Sequence, residues 1–425
     1  TLRSTPTHGI STLWILAAFC TAASCTAAFA GNREVVETSK NIASHIDFIY
    51  PQASDAARNY NFQHYVLQIC RPLVLASSVF ILLQSGWLAK LSIRLERIAS
   101  YALRVLAYLS ILTLILYLVD LPFAFYSQFI LEHHFGLSNQ TLSAWCLDES
   151  KRLLLRLSFV PLFLPVALII RHRQRFWSFW IWLLIVGATM VLVYLKPIIL
   201  DTMFNKFSPL PPGSLRTKIE LLCAKAELRN PEIEVVDRSK QTKKINAYVT
   251  GLSNSTRIVL YDTLTRDIKE AEVLCVVAHE MAHYKYQHVL TGLALSLLAI
   301  LPVLVFAEFL TNRFLPSLPR RWGIKTKADP SFLALGLGIM YASSILISPI
   351  ECTIARHVET EADDFALRIT GDGRSVAQLF ASLARLDLID PDPPAIIEFW
   401  LYTHPSIRHR IERALATVKT EPTAR

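Results

Sequence analysis

Seven apolar stretches, each close to the ~20 residues a helix needs to cross a bilayer, dominate this chain. They are Ile10–Ala30, Val66–Leu88, Val105–Tyr126, Leu153–Ile170, Phe176–Leu200, Val289–Leu310 and Phe332–Ile350. In lipid the backbone must satisfy its own hydrogen bonds, so such stretches fold as helices. A mainly α integral membrane protein with six or seven spans is expected. The fourth stretch is the weakest, with Arg156 near its start and Pro161 and Pro165 inside it. The first has two readings. Ala28-Phe29-Ala30 before Gly31 resembles a signal cleavage site, yet the stretch is long enough to stay as an anchor, the reading favoured here. Residues 1–30 are then a first transmembrane helix or signal anchor, 31–200 a multi-span membrane domain, and 201–425 a third unit holding the last two spans, 289–310 and 332–350.

Composition agrees. The chain is 52% hydrophobic and only 18% charged, which excludes an ordinary soluble protein. Its net charge of +9 fits Lys and Arg flanking membrane segments. No basic patch is interleaved with aromatics, so the expected partner is the lipid bilayer and not nucleic acid. Seven scattered cysteines form no Cys-x-x-Cys pair, so neither a disulfide framework nor a cysteine metal site is expected.

Between the fifth and sixth spans the pattern is that of a soluble unit. Ser214 is placed to cap a helix running to about Glu227; Pro231–Asp237, Lys244–Thr250 and Arg257–Tyr261 read as strands. From about Asp267 the pattern is helical without a break up to the sixth span. After the seventh span a helix over 351–370 stops at Gly371-Asp372-Gly373, and two further helices close the chain.

The chemistry lies in His279-Glu280-Met281-Ala282-His283. Histidines four apart on a helix share a face and can bind one Zn²⁺. Glu280, beside the first of them, can take a proton from a water activated there and deliver it to a leaving amine. Val273, Leu274, Val277 and Ala278 make the preceding face apolar. That argues for a packed helix, where such polar groups are costly unless they bind something. A third ligand is needed, and the spans locate it. The sixth span starts about six residues after His283 and the seventh ends about nine residues before Glu359, so at ~1.5 Å per residue their depths differ by only ~5 Å. Of the acids there, Glu351, Glu359, Glu361, Asp363 and Asp364, spacing favours Glu359 as ligand with Asp363 on the same face behind it. Arg410 is placed to pair with Asp363. His288, one turn past His283, reads as structural. Asp120, inside the third span, is expected to face an internal cavity or another polar group.

Arg356-His357-Val358-Glu359-Thr360-Glu361-Ala362-Asp363-Asp364-Phe365-Ala366 resembles the Arg-x-x-Glu-x-x-Ala-Asp-x-Phe-Ala signature of the CAAX prenyl protease 1 family. Phe204–Pro211, Asn246–Gly251, Glu132–Thr141 and His404-Pro405-Ser406 with Arg410-Ile411 resemble further family segments in the same order, over about residues 60 to 415. The resemblance implies about seven transmembrane helices around a chamber and a gluzincin-like zinc protease domain with a small β-sheet. It implies one Zn²⁺ per chain on His279, His283 and Glu359, with Glu280 as general base. Asn246 and His404 would contact the substrate backbone and the oxyanion. The implied partner is a peptide or lipidated protein substrate.

The resulting expectation is a multi-pass membrane zinc metalloendopeptidase cutting near the C-terminus of prenylated or other membrane-associated peptides. It would sit in the inner membrane of a bacterium or the endoplasmic reticulum of a eukaryote. Two rivals are weaker. A site-2 type intramembrane protease carries its motif inside a span, whereas here it precedes one. A non-catalytic quality-control or scaffold protein has no need of Glu280. On orientation two arguments differ. Basic loops at Lys90–Arg104, Arg171–Arg175 and Arg313–Lys327 lie opposite the motif and would be cytoplasmic, while eukaryotic family members turn the catalytic side to the cytosol.

Overall fold

A computed structural model describes residues 48, 50–173, 175–195, 201–228, 231–250 and 256–418. The proposed first span, Ile10–Ala30, lies outside them. α1 (Asp55–Gln84) starts from a Ser54 cap whose Oγ accepts the Ala57 amide, and runs through Pro72 to a left-handed Gly86. α2 (Trp87–Leu95) is a short helix where the sequence suggested only a loop. α3 (Tyr101–Phe125) passes through a π-helical turn, Tyr126–Ile130, and ends at His134. The fourth stretch begins earlier than expected and is two helices, α4 (Leu142–Ser158) and α5 (Phe163–His172), parted by a 3-10 turn containing Pro161. Proline there denies the helix a donor and pushes the preceding residue off the α region. α6 (Trp177–Leu195) follows.

The soluble unit opens with β1 (Phe207–Pro209), a strand not anticipated, and α7 (Ser214–Lys225). Gly213, not Ser214, is the N-cap of α7; the Ser214 hydroxyl donates instead to Glu270. β2 (Glu232–Val236), β3 (Ala247–Thr250) and β4 (Arg257–Tyr261) complete a sheet of order β1-β2-β4-β3, in which β2 and β4 are parallel and the other pairs antiparallel. β3 is therefore an edge. It starts after Asn246, which the sequence placed within the strand. α8 (Glu270–Lys285) packs on β3 and carries the motif.

The expected unbroken run from α8 into the membrane is interrupted. Gln287 sits at φ +53°, so the chain turns before α9 (His288–Phe314). α10 (Pro330–Thr370) is one 41-residue helix that joins the seventh span to the segment expected to be a separate helix, ending at a left-handed Gly371. α11 (Gly373–Leu386), α12 (Ala395–Leu401) and α13 (Ile407–Leu415) finish the fold.

Among the described residues five helical stretches are long and apolar enough to cross a membrane, and α6 is a shorter apolar helix. They explain an otherwise costly surface: Ile81, Leu154, Leu298 and Leu346 are each at least 65% exposed, a surface suited to lipid. The soluble unit has a separate core in which Ile219, Ile258, Val276, Met281, Phe380 and Ile411 are all buried. α10 packs against α1 in one half and against α8 in the other, so it links the two.

Candidate metal centre

α8 and α10 cross where both have small residues: Ala278, Ala282, Ala362 and Ala366 are all 3% exposed or less. This close approach brings the polar groups together. His279 Nε2 lies 3.2 Å from His283 Nε2 and 3.1 Å from Glu359 Oε2, and His283 Nε2 is 3.6 Å from Glu359 Oε1. A tetrahedral ion with ligands at ~2.0–2.1 Å needs donor atoms about 3.3 Å apart, close to these contacts, in which each histidine faces its own oxygen of the Glu359 carboxylate, so the three side chains suit a zinc-sized cation. No other set of three metal-ligating side chains converges in this way among the described residues.

The surroundings support that reading. His279 Nδ1 lies 2.9 Å from Asp363 Oδ1, so a proton on Nδ1 leaves the Nε2 lone pair facing Glu359. Asp363 is in turn held by Arg410, which donates from Nε at 2.8 Å and from Nη2 at 2.7 Å. The Arg410 guanidinium is packed 4.1 Å over the Phe380 ring. Burial pushes the His279 imidazole down, but Asp363 and Glu359 outweigh it and lift the group to about 9. Burial lowers His283 and His404 from the usual imidazole value, against the pull of Glu359.

Asp363 and Arg410, distant in sequence, stand together. His404 also reaches the centre, its Nε2 3.2 Å from Glu359 Oε2. Glu280 is buried at 2% exposure on the same helix. Asn246 is buried at the start of β3; its side-chain carbonyl accepts from the Ala247 amide, and its own carbonyl accepts from the Tyr261 amide. Its described contacts are local.

Two further groups carry more weight than the sequence gave them. His288 Nδ1 is 3.1 Å from His283 Nδ1, and His288 Nε2 is 3.2 Å from Glu361 Oε2. That chain backs the second histidine as Asp363 backs the first, and the left-handed Gln287 makes it possible by turning His288 back. Arg356 donates from Nη1 to the carbonyls of Glu398 (2.8 Å) and Tyr402 (2.7 Å), tying the loop that carries His404 to α10. Its place one turn before Glu359 was the available signal.

Comparison with known proteins identifies the family and the fold. Residues 209–418 match the profile of peptidase family M48, and residues 32–206 match that of the CAAX prenyl protease N-terminal region with five membrane helices. A metalloprotease of Bacillus subtilis, YhfN, is 30% identical over 79% of this chain and 79% of its own length. CAAX prenyl protease 1 of Saccharomyces cerevisiae is 29% identical over 76% of this chain and 74% of its own. In fold, the crystal structure of S. mikatae Ste24p matches with a TM-score of 0.71 at 23% identity, over 95% of this chain and 98% of that one.

Proposed function

The chain belongs to the CAAX prenyl protease 1 family of peptidase family M48, a multi-pass membrane metalloprotease, and on that premise we propose that it is a zinc endopeptidase cutting near the C-terminus of prenylated or other membrane-associated peptides. The observation that carries the reading is the convergence of His279, His283 and Glu359 at tetrahedral spacing beside a buried Glu280. The matched stretches support a division into a membrane domain over 31–200 and a protease domain over 201–425.

A bound Zn²⁺ would supply Lewis acidity to a water and to the scissile carbonyl. Glu280 takes the proton from that water and returns it to the leaving amine. His404, next to Glu359, is placed to donate to the oxygen on which charge develops. Asp363 fixes the His279 ring, Arg410 fixes Asp363, and Asn246 at the edge strand takes the substrate backbone. A scaffold role is not favoured, since it leaves Glu280 without a purpose.

The test uses purified full-length protein, its zinc content, and cleavage of a farnesylated CAAX peptide beside an unprenylated control. Glu280→Gln should retain zinc and lose about 10²–10⁴-fold in rate. Unaltered cleavage by that variant overturns the mechanism; equal cleavage of both peptides overturns the prenyl preference.

A further inference from the structure

At the end of the molecule opposite the metal centre, α2, the turn before α6 and the loop between α9 and α10 form one surface. Tyr101 donates to the Ala328 carbonyl, Arg171 stacks 4.1 Å over the Tyr101 ring, and Gly323 sits against Ala89. Residues 87–104, 171–176 and 312–329 hold twelve Lys and Arg and two acids, Glu96 and Asp329. That is a net of +10 on three short segments, against +9 for the whole chain. The rest of the molecule is close to neutral.

The twelve cations lack the carboxylate partners that cations have elsewhere; Arg104, Arg171, Arg173 and Arg313 lie over aromatic rings instead, and Lys327 donates to Asn312. None takes part in an ion pair among the described residues. Near the metal centre, by contrast, Arg410, Arg413 and Arg408 each hold a carboxylate. Asp329 accepts from the amides of Lys325 and Thr326 and turns its own loop. Mutual repulsion among so many like charges costs free energy unless counter-charge is supplied from outside.

Large apolar side chains stand among these cations. Phe176 is 75% exposed, Ile93 63%, Phe314 52% and Trp87 36%. Water alone does not suit the apolar set, and a soluble anion would leave it bare. Both sets are satisfied where headgroups meet acyl chains, with the apolar side chains seated below the phosphates. The segments also lie at the ends of the spans, at that depth.

We propose that this end is a docking surface for anionic phospholipid headgroups, which supply the counter-charge the chain omits. It holds the molecule to a leaflet rich in such lipids, independently of the peptidase reaction.

The experiment places the full-length protein in nanodiscs of phosphatidylglycerol or phosphatidylcholine, counts retained lipids by native mass spectrometry, and follows the thermal midpoint. Wild type should retain phosphatidylglycerol in preference, with a higher midpoint that falls as salt rises. Arg320→Gln/Arg321→Gln/Lys325→Gln should weaken retention about 100-fold, at about fivefold per cation. The same three positions carrying Lys or Arg interchangeably should not. Peptidase activity of the neutralised variant in phosphatidylcholine should match wild type, which separates its failure from that of the catalytic reading. Equal retention of both lipids, or a neutralised variant that behaves as wild type, overturns the proposal. A midpoint shift of the same size with soluble glycerol phosphate would also overturn it, by making the surface a free-phosphate site.

Discussion

Two buried aspartates are each gripped by an arginine, and the difference between them separates the two halves of the molecule. Asp120, within α3, accepts from Arg71 of α1 through both carboxylate oxygens and from Arg156 of α4 at 3.0 Å. Asp363, on α10, accepts from Arg410 through both oxygens and, for its third partner, has the His279 imidazole. Both are bidentate carboxylate pairs withdrawn from water, where removing one member costs much more than the pair contributes. The third partner decides the role. Two arginines lock Asp120 in one charge state, and three helices are cross-linked by it. An imidazole lets Asp363 pass its charge on, through His279, to whatever Nε2 faces.

The largest effect should come from breaking the lock. Asp120→Asn leaves two guanidinium groups facing a neutral amide, and should cost about 3–5 kcal/mol, read as a lower unfolding midpoint and poor yield. The protein that does fold should keep its zinc and its rate per bound zinc; a selective loss of zinc would mean that Asp120 belongs to the catalytic apparatus. Asp363→Asn should do the opposite. Metal affinity should fall about 10–100-fold, measured by zinc retention against a chelator, and rate per bound zinc should fall with it. If stability falls as far as in Asp120→Asn while affinity holds, the contrast between the clusters fails.

The smallest effect sharpens the comparison at the edge of the centre. His409 stands 3.6 Å from Glu398, and that carboxylate raises the imidazole above its usual 6.5. A raised folded-state value contributes stability below 6.5 and loses it as pH climbs through the folded value. With the His409 side chain 53% exposed, solvent screening holds this to a few tenths of a kcal/mol. Wild type should therefore exceed His409→Gln slightly in thermal midpoint below that range and match it above; a gap constant with pH would remove the ion pair from the account.

Five of the apolar runs, and the meeting of His279, His283 and Glu359, were legible in the sequence for the same reason. Apolar runs of bilayer length and His-Glu-x-x-His on one helix face are local patterns, and α8 and α10 needed only a shared depth to meet. What the sequence concealed depends on single backbone positions or long-range partners. Gln287 in the left-handed region breaks a run that has no glycine or proline to mark it, and the His288 chain to Glu361 follows only from that turn. β1 is three residues long and exists because β2 offers it an edge. α2 looked like a loop because its polar and apolar residues are divided between membrane surface and core, and its nine residues are too few for the pattern to declare itself.

The continuity of α10 has a consequence for how such a chain can change over time. Its span and Glu359 are on one uninterrupted helix, so the ligand is set in phase with the membrane segment. One residue inserted between Ile350 and Glu359 would swing the carboxylate by about 100° and lift it by ~1.5 Å, out of reach of both histidines. A change of length in the loop at 315–329, ahead of α10, leaves that phase untouched. Length is thus fixed by the metal centre along one helix and not by it in the loop before.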